Sequence, residues 1–127
     1  MIKIIYLIFF IGVIATIASA NDKFILSSIE EANSLASKTK QPLLLIFGSE
    51  SCTYCKLLKQ DISSGKLDGS IDRYIVCYID VNENNNLKDI YNISIIPDSR
   101  IIKDNKQVEK IIGYSRTSYE DKIKNVK

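Results

Sequence analysis

Leu43-Leu44-Leu45-Ile46-Phe47, Gly48-Ser49-Glu50-Ser51 and Cys52-Thr53-Tyr54-Cys55-Lys56 follow one another without a gap, and their order decides how the chain reads. The first block is a continuous apolar run of strand length, which suits a central strand covered on both faces. The second is a turn of small and polar residues. The third opens a segment, Cys52 to Ile62, in which Cys55, Leu58 and Ile62 make one helical stripe against Lys56, Lys59 and Gln60. Strand, tight loop and amphipathic helix therefore put a cysteine pair at a helix start.

Upstream of this unit, Ser27-Ser28-Ile29-Glu30-Glu31 offers a capping box in either register, and Ile29, Ala32, Leu35 and Ala36 continue at helical spacing. This predicts a helix from about Ser28 to Lys38, ended by Gln41-Pro42. A short strand at Phe24-Ile25-Leu26 would pair at one edge. Downstream, Ser63-Ser64-Gly65 can close the cysteine helix. Tyr74 to Val81 is β-branched and aromatic, a second buried strand. Asn82 to Asn86 is a polar break, Leu87 to Tyr91 a short helix, and Ile93 to Ile96 leads into Pro97. Arg100 to Lys103 and Gln107 to Ile112 flank Asp104-Asn105-Lys106, residue types that favour a tight hairpin turn. Gly113 closes the second strand, and Ser118 to Val126 makes a final helix. The first half is then a βαβ unit with a parallel pair, to which the second half adds an antiparallel hairpin in the same sheet.

The first twenty residues carry Lys3, an apolar run from Ile4 to about Ile17, and Ala18-Ser19-Ala20. This is the tripartite pattern of a secretory signal peptide, and the run is short for a spanning helix of roughly 20 residues. The division expected is residues 1–20 as signal peptide and 21–127 as one domain, periplasmic or secreted. The membrane enters only if the segment stays uncleaved. Removing 1–20 leaves 107 residues and lowers the formal charge from +2 to +1. No part of the domain concentrates Lys or Arg, which argues against a nucleic-acid partner or an anionic membrane surface. With no obvious dimerisation segment, the domain reads as a monomer.

Residues three apart at a helix start share a face, so the sulfurs of Cys52 and Cys55 can reach disulfide separation. The helix terminus favours thiolate over thiol at Cys52, which makes it a better nucleophile near neutral pH and a better leaving group. Cys52, nearer solvent, is the attacking residue, and Cys55, one turn inside, the resolving one. Two rivals stand beside this reading. A metal site would need further soft or imidazole ligands, and the chain has no histidine. A static disulfide spanning so few residues would constrain the unfolded chain weakly. Neither a metal nor any other cofactor is implied. Cys77, inside the second strand, reads as a small buried hydrophobe; a regulatory role would require it to be exposed.

Lys40 to Phe47, Cys52-Thr53-Tyr54-Cys55-Lys56, Ile96-Pro97 and Gly113-Tyr114 together resemble the thioredoxin superfamily. With the signal peptide, the chain is most similar to exported, periplasmic thioredoxin-like proteins, including those that accompany sulfur-oxidation systems. The resemblance implies a thioredoxin-like three-layer α/β/α sandwich with a mixed central sheet of four to five strands. It implies that Pro97 is cis beside the cysteines, and that the backbone of Ile96 pairs with an extended substrate segment. The site would comprise Cys52 and Cys55 as catalytic residues and Ile96 and Pro97 as substrate-binding ones, with Glu50, Thr53, Tyr54, Lys56 and Asp98 as neighbours.

Several positions depart from the family. Ser51 stands where an aromatic residue commonly precedes the first cysteine, and Asp98 where a small residue follows the proline. Ile46 occupies the place of a buried acid that assists proton transfer to the resolving thiol, so water, Glu50 or Lys56 would have to serve Cys55. Glu50 and Asp98, if near Cys52, would oppose its thiolate, whereas Lys56 and Lys59 would favour it.

The function expected is thiol–disulfide exchange with protein substrates, as a reductase supplied by a membrane or periplasmic redox partner. The alternatives are a thioredoxin-fold binding module with a static disulfide and, more weakly, a thiol site delivering copper(I), against which the lack of histidine and of any methionine beyond Met1 argues.

Overall fold

The computed structural model describes residues 24–127; the expected signal segment, 1–20, lies outside the described residues. Along the chain run β1 (Ile25–Leu26), α1 (Ile29–Thr39), β2 (Leu43–Gly48), α2 (Thr53–Ser63), α3 (Asp68–Ile71), β3 (Ile75–Asp80), α4 (Asn85–Ile90), β4 (Asp98–Lys103), β5 (Lys106–Ile112) and α5 (Arg116–Lys124). The five strands form one sheet in the order β1-β3-β2-β4-β5. β1 and β2 lie parallel to β3, while β4 runs antiparallel to both β2 and β5.

β2 is buried along its whole length, as its unbroken apolar run requires of the middle strand of a covered sheet. Alternate residues serve opposite layers. Leu44 and Ile46 join Cys55, Leu58, Ile71, Tyr119 and Ile123 on the side of α2, α3 and α5. Leu43, Leu45 and Phe47 join Ala32, Ile79 and Ile93 on the side of α1 and α4. Each fully buried Leu, Ile or Phe contributes about 1.5–3 kcal/mol relative to an exposed one, so β2 anchors both layers.

Local chemistry sets the ends of the elements. Ser28 caps α1 by accepting the Glu31 N–H at 3.2 Å, which selects the Ser28–Glu31 register of the two on offer. The hairpin turn is tighter than the three residues expected. β4 and β5 meet across Asp104 and Asn105 alone, both at positive φ (53° and 64°), as a two-residue turn matched to strand twist demands. α5 begins at Arg116, two residues before the expected Ser118. α3 was not expected at all, because four residues are too few to display a helical period.

Candidate active site

Cys52 is the N-cap of α2, with extended φ and ψ of −94° and 113°. Ser, Thr, Asp or Asn usually holds such a position. Here Cys52 Sγ accepts the Cys55 N–H at 3.2 Å, and a negative sulfur would take that hydrogen bond more strongly. Together with the positive end of the helix, this favours thiolate at Cys52 once the pair is reduced. Cys52 and Cys55 are joined as a disulfide with Cα atoms 5.2 Å apart. Cys52 is partly exposed and Cys55 completely buried, so only one of the two sulfurs can be approached from outside.

The Ile96–Pro97 bond is cis, and the Ile96 carbonyl oxygen lies 3.8 Å from Cys52 Sγ. The disulfide sulfur carries no hydrogen, so this is a contact and not a hydrogen bond. On its far side the loop is docked by the Gly113 N–H, which donates to the Pro97 carbonyl at 2.8 Å. Ile96, whose carbonyl meets Cys52 Sγ, is partly exposed, and its chain neighbour Ile95 and Tyr54 between the cysteines are largely exposed. Glu50, Thr53 and Lys56 are exposed at the head of α2.

Asp98 stands apart from these residues. It pairs in register with Phe47, and Arg100 with Leu45, so both side chains belong to the α1/α4 face of the sheet, opposite α2. Its carboxylate is buried and takes both arms of Arg100, at 2.7 and 3.0 Å. Its charge is thereby spent on a guanidinium rather than directed at Cys52.

Beside Cys55, Ile46 is fully buried and leaves β2 without a carboxylate. Tyr78, its register partner on β3, occupies the neighbouring space. A Cβ on Gly48 would collide with the Tyr78 hydroxyl and stand 3.1 Å from Cys55 Cβ. Burial, reinforced by Glu50 and Asp80, pushes the Tyr78 phenol up to about 12, so it stays protonated at neutral pH. Lys59 Nζ sits 4.7 Å from its ring centroid, and both line an open basin with Glu50, Lys56 and Leu57. Gly48→Ala is expected to cost about 1–3 kcal/mol through overpacking. In urea denaturation, Tyr78→Phe should restore part of that loss in the double variant, because it removes the colliding oxygen.

Sequence reasoning missed three participants. Arg100 was read only as a strand residue, although Asp98 and Arg100, opposite charges two apart on a strand, must share a face. Tyr78 gave no signal, because its position depends on a glycine thirty residues away. Asp61, buried on α2, accepts from the Tyr114 hydroxyl at 2.6 Å and pairs with Lys66 at 3.8 Å. Cys77 is wholly buried, and that burial, with Glu30 and Glu31 nearby, pushes its thiol up to about 12. It stays a thiol and is out of reach of partners.

The family model described as Thioredoxin matches residues 24–125. Among curated proteins, the TPR repeat-containing thioredoxin TDX of Arabidopsis thaliana is 29% identical over 97 residues, or 76% of this chain. The chain spans only 25% of that relative's length. A thioredoxin h from poplar superimposes with a TM-score of 0.67 at 22% identity, over 78% of this chain and 90% of that one. Oxidized mitochondrial thioredoxin 3 from Saccharomyces cerevisiae does so with a TM-score of 0.64 at 24% identity, over 80% and 93%. These likenesses establish the fold. A match over almost all of the described residues, on a sheet that carries Cys52–Cys55 at a helix start, makes this chain a member of the thioredoxin family.

Proposed function

We propose that the protein is an exported thiol–disulfide oxidoreductase that reduces disulfides in protein substrates. The observation that carries this reading is the pairing of a partly exposed, helix-capping Cys52 with a fully buried Cys55, beside the Ile96 carbonyl. In the reduced protein the Cys52 thiolate attacks one sulfur of a substrate disulfide, forming a mixed disulfide and releasing the other sulfur as a thiolate. Cys55, deprotonated, then attacks Cys52 Sγ. The Cys52–Cys55 bond forms, the mixed disulfide breaks, and the second substrate sulfur leaves. Two electrons pass to the substrate, whose two thiolates take up two protons. An external dithiol, from a membrane or periplasmic partner, returns the pair to its reduced form. The Ile96 backbone next to cis-Pro97 receives the substrate segment as an added strand, which recognises main chain with little regard to sequence.

Export rests on the basic, apolar and small-residue order of residues 1–20. Expressed in a bacterium with a C-terminal tag, the protein should be recovered from the periplasm with Asn21 as its first residue; an unprocessed cytosolic chain would remove export from the proposal. The activity is tested by reduction of insulin with dithiothreitol as donor. The purified protein should accelerate it many-fold. If it gives the uncatalysed rate, a binding module with a static disulfide takes the place of the enzyme.

A further inference from the structure

Arg100 lies near the middle of β4 and points into the apolar layer beneath α1 and α4, where a charge is costly unless fully partnered. It is 6% exposed and its donors are almost fully used. Nε and Nη2 donate to the two Asp98 oxygens at 2.7 and 3.0 Å, Nη2 also to the Tyr91 carbonyl at 2.9 Å, and Nη1 to Gln107 Oε1 at 3.1 Å. Tyr91 is the residue on which α4 ends, and Asp98 directly follows cis-Pro97. One planar group thus ties together both ends of the six-residue loop 92–97, whose Ile96 carbonyl faces Cys52 Sγ. Among the described residues, no other side chain makes hydrogen bonds to both ends.

Besides the Ile93 side chain, buried in the layer beneath α1 and α4, the remaining anchors of the loop are main-chain bonds, Asn92 N–H to Asp89 O at 3.2 Å, Ile93 N–H to Lys88 O at 2.9 Å and Gly113 N–H to Pro97 O at 2.8 Å. Between them Ser94 and Ile95 are exposed. A buried ion pair is seldom the most stable filling for its space, since apolar residues of similar volume often do as well or better. A fixed fork does what apolar residues cannot: it sets the distance and angle between two backbone segments.

We propose that Arg100 is a positioning residue, clamping Tyr91 to Asp98 from the opposite face of the sheet so that the Ile96 backbone is presented to substrate beside Cys52. This rests on the reading above that Ile96 pairs with the substrate. Arg100 touches neither the substrate nor the reacting sulfurs, so loosening it should weaken peptide binding and leave the sulfur chemistry intact.

The test is Arg100→Lys, which keeps the charge and loses the fork. KM for insulin should rise about tenfold with kcat little changed, the pattern of lost uniform binding, a tenfold change corresponding to about 1.4 kcal/mol. Alkylation of Cys52 by iodoacetamide in the reduced protein should keep its rate. Amide exchange at Ile93 and Gly113 should quicken at least tenfold, with β2 unaffected. An unchanged KM, or equal falls in kcat and in alkylation, would overturn the clamp. If Arg100→Lys does not fold, Asp98→Asn with Arg100→Met, which leaves neither charge of the pair buried, is read in the same way. Should the native protein fail to turn over insulin, the proposed function fails, and exchange at Ile93 and Gly113 still decides for or against the clamp.

Discussion

Cys52→Ser is expected to lower disulfide exchange by more than about a thousandfold, the scale on which loss of a covalent nucleophile is felt. Cys55 cannot take over, because it is completely buried on the inner side of the first turn of α2, and Cys77 is buried within β3 with its thiol held protonated. Cys55→Ser should fail differently. Its Cys52 remains partly exposed at the helix cap, so attack on the substrate proceeds and resolution does not. A one-to-one mixed disulfide with the substrate should accumulate on non-reducing gels and disappear on adding dithiothreitol. Equal inactivity of the two variants without any trapped adduct would contradict the division of roles between the two sulfurs.

Arg100→Met is expected to produce the largest loss of stability of any substitution considered, about 3–5 kcal/mol, because it leaves the Asp98 carboxylate buried and uncompensated. Lys110 is the only other cation paired with that carboxylate among the described residues. It stands 4.0 Å away with its side chain 46% exposed, so it replaces little of what Arg100 supplies. Asp98→Asn combined with Arg100→Met should recover most of the loss, since the double variant buries neither charge of the pair. Urea denaturation of the two single variants and the double measures the coupling directly. Simple additivity would mean that the two residues act independently, against the bidentate geometry.

The fold was legible where the sequence carried periodicity or a turn with one solution. The run Leu43–Phe47 suited a strand covered on both faces, and the stripe of Cys55, Leu58 and Ile62 marked which side of α2 turns inward. Asp104 and Asn105 announced a turn, although its length followed from positive φ at both residues, which residue types alone leave open. The four residues of α3 are held by Leu67, Ser70 and Ile71 sinking into the core, a tertiary effect with no local signature. At the site, the cysteine pair was visible because its chemistry depends on spacing along the chain, whereas Ile96-Pro97 was marked only by the resemblance to the thioredoxin superfamily. The Asp98–Arg100 pair and the fit of Tyr78 against Gly48 depend on register between strands. Asp98 therefore read as a charge near Cys52, when the pleat of β4 sends it to the other face.

Equilibration of the purified protein with glutathione buffers, followed by trapping of free thiols, tests the redox function most directly. The expected result is a single two-electron transition of Cys52–Cys55, absent in Cys52→Ser, with a potential between about −270 and −120 mV and toward the reducing end of that span. Persistence of the disulfide across all buffers, or a reduced Cys52 that resists alkylation, would contradict it and leave a thioredoxin-fold binding module.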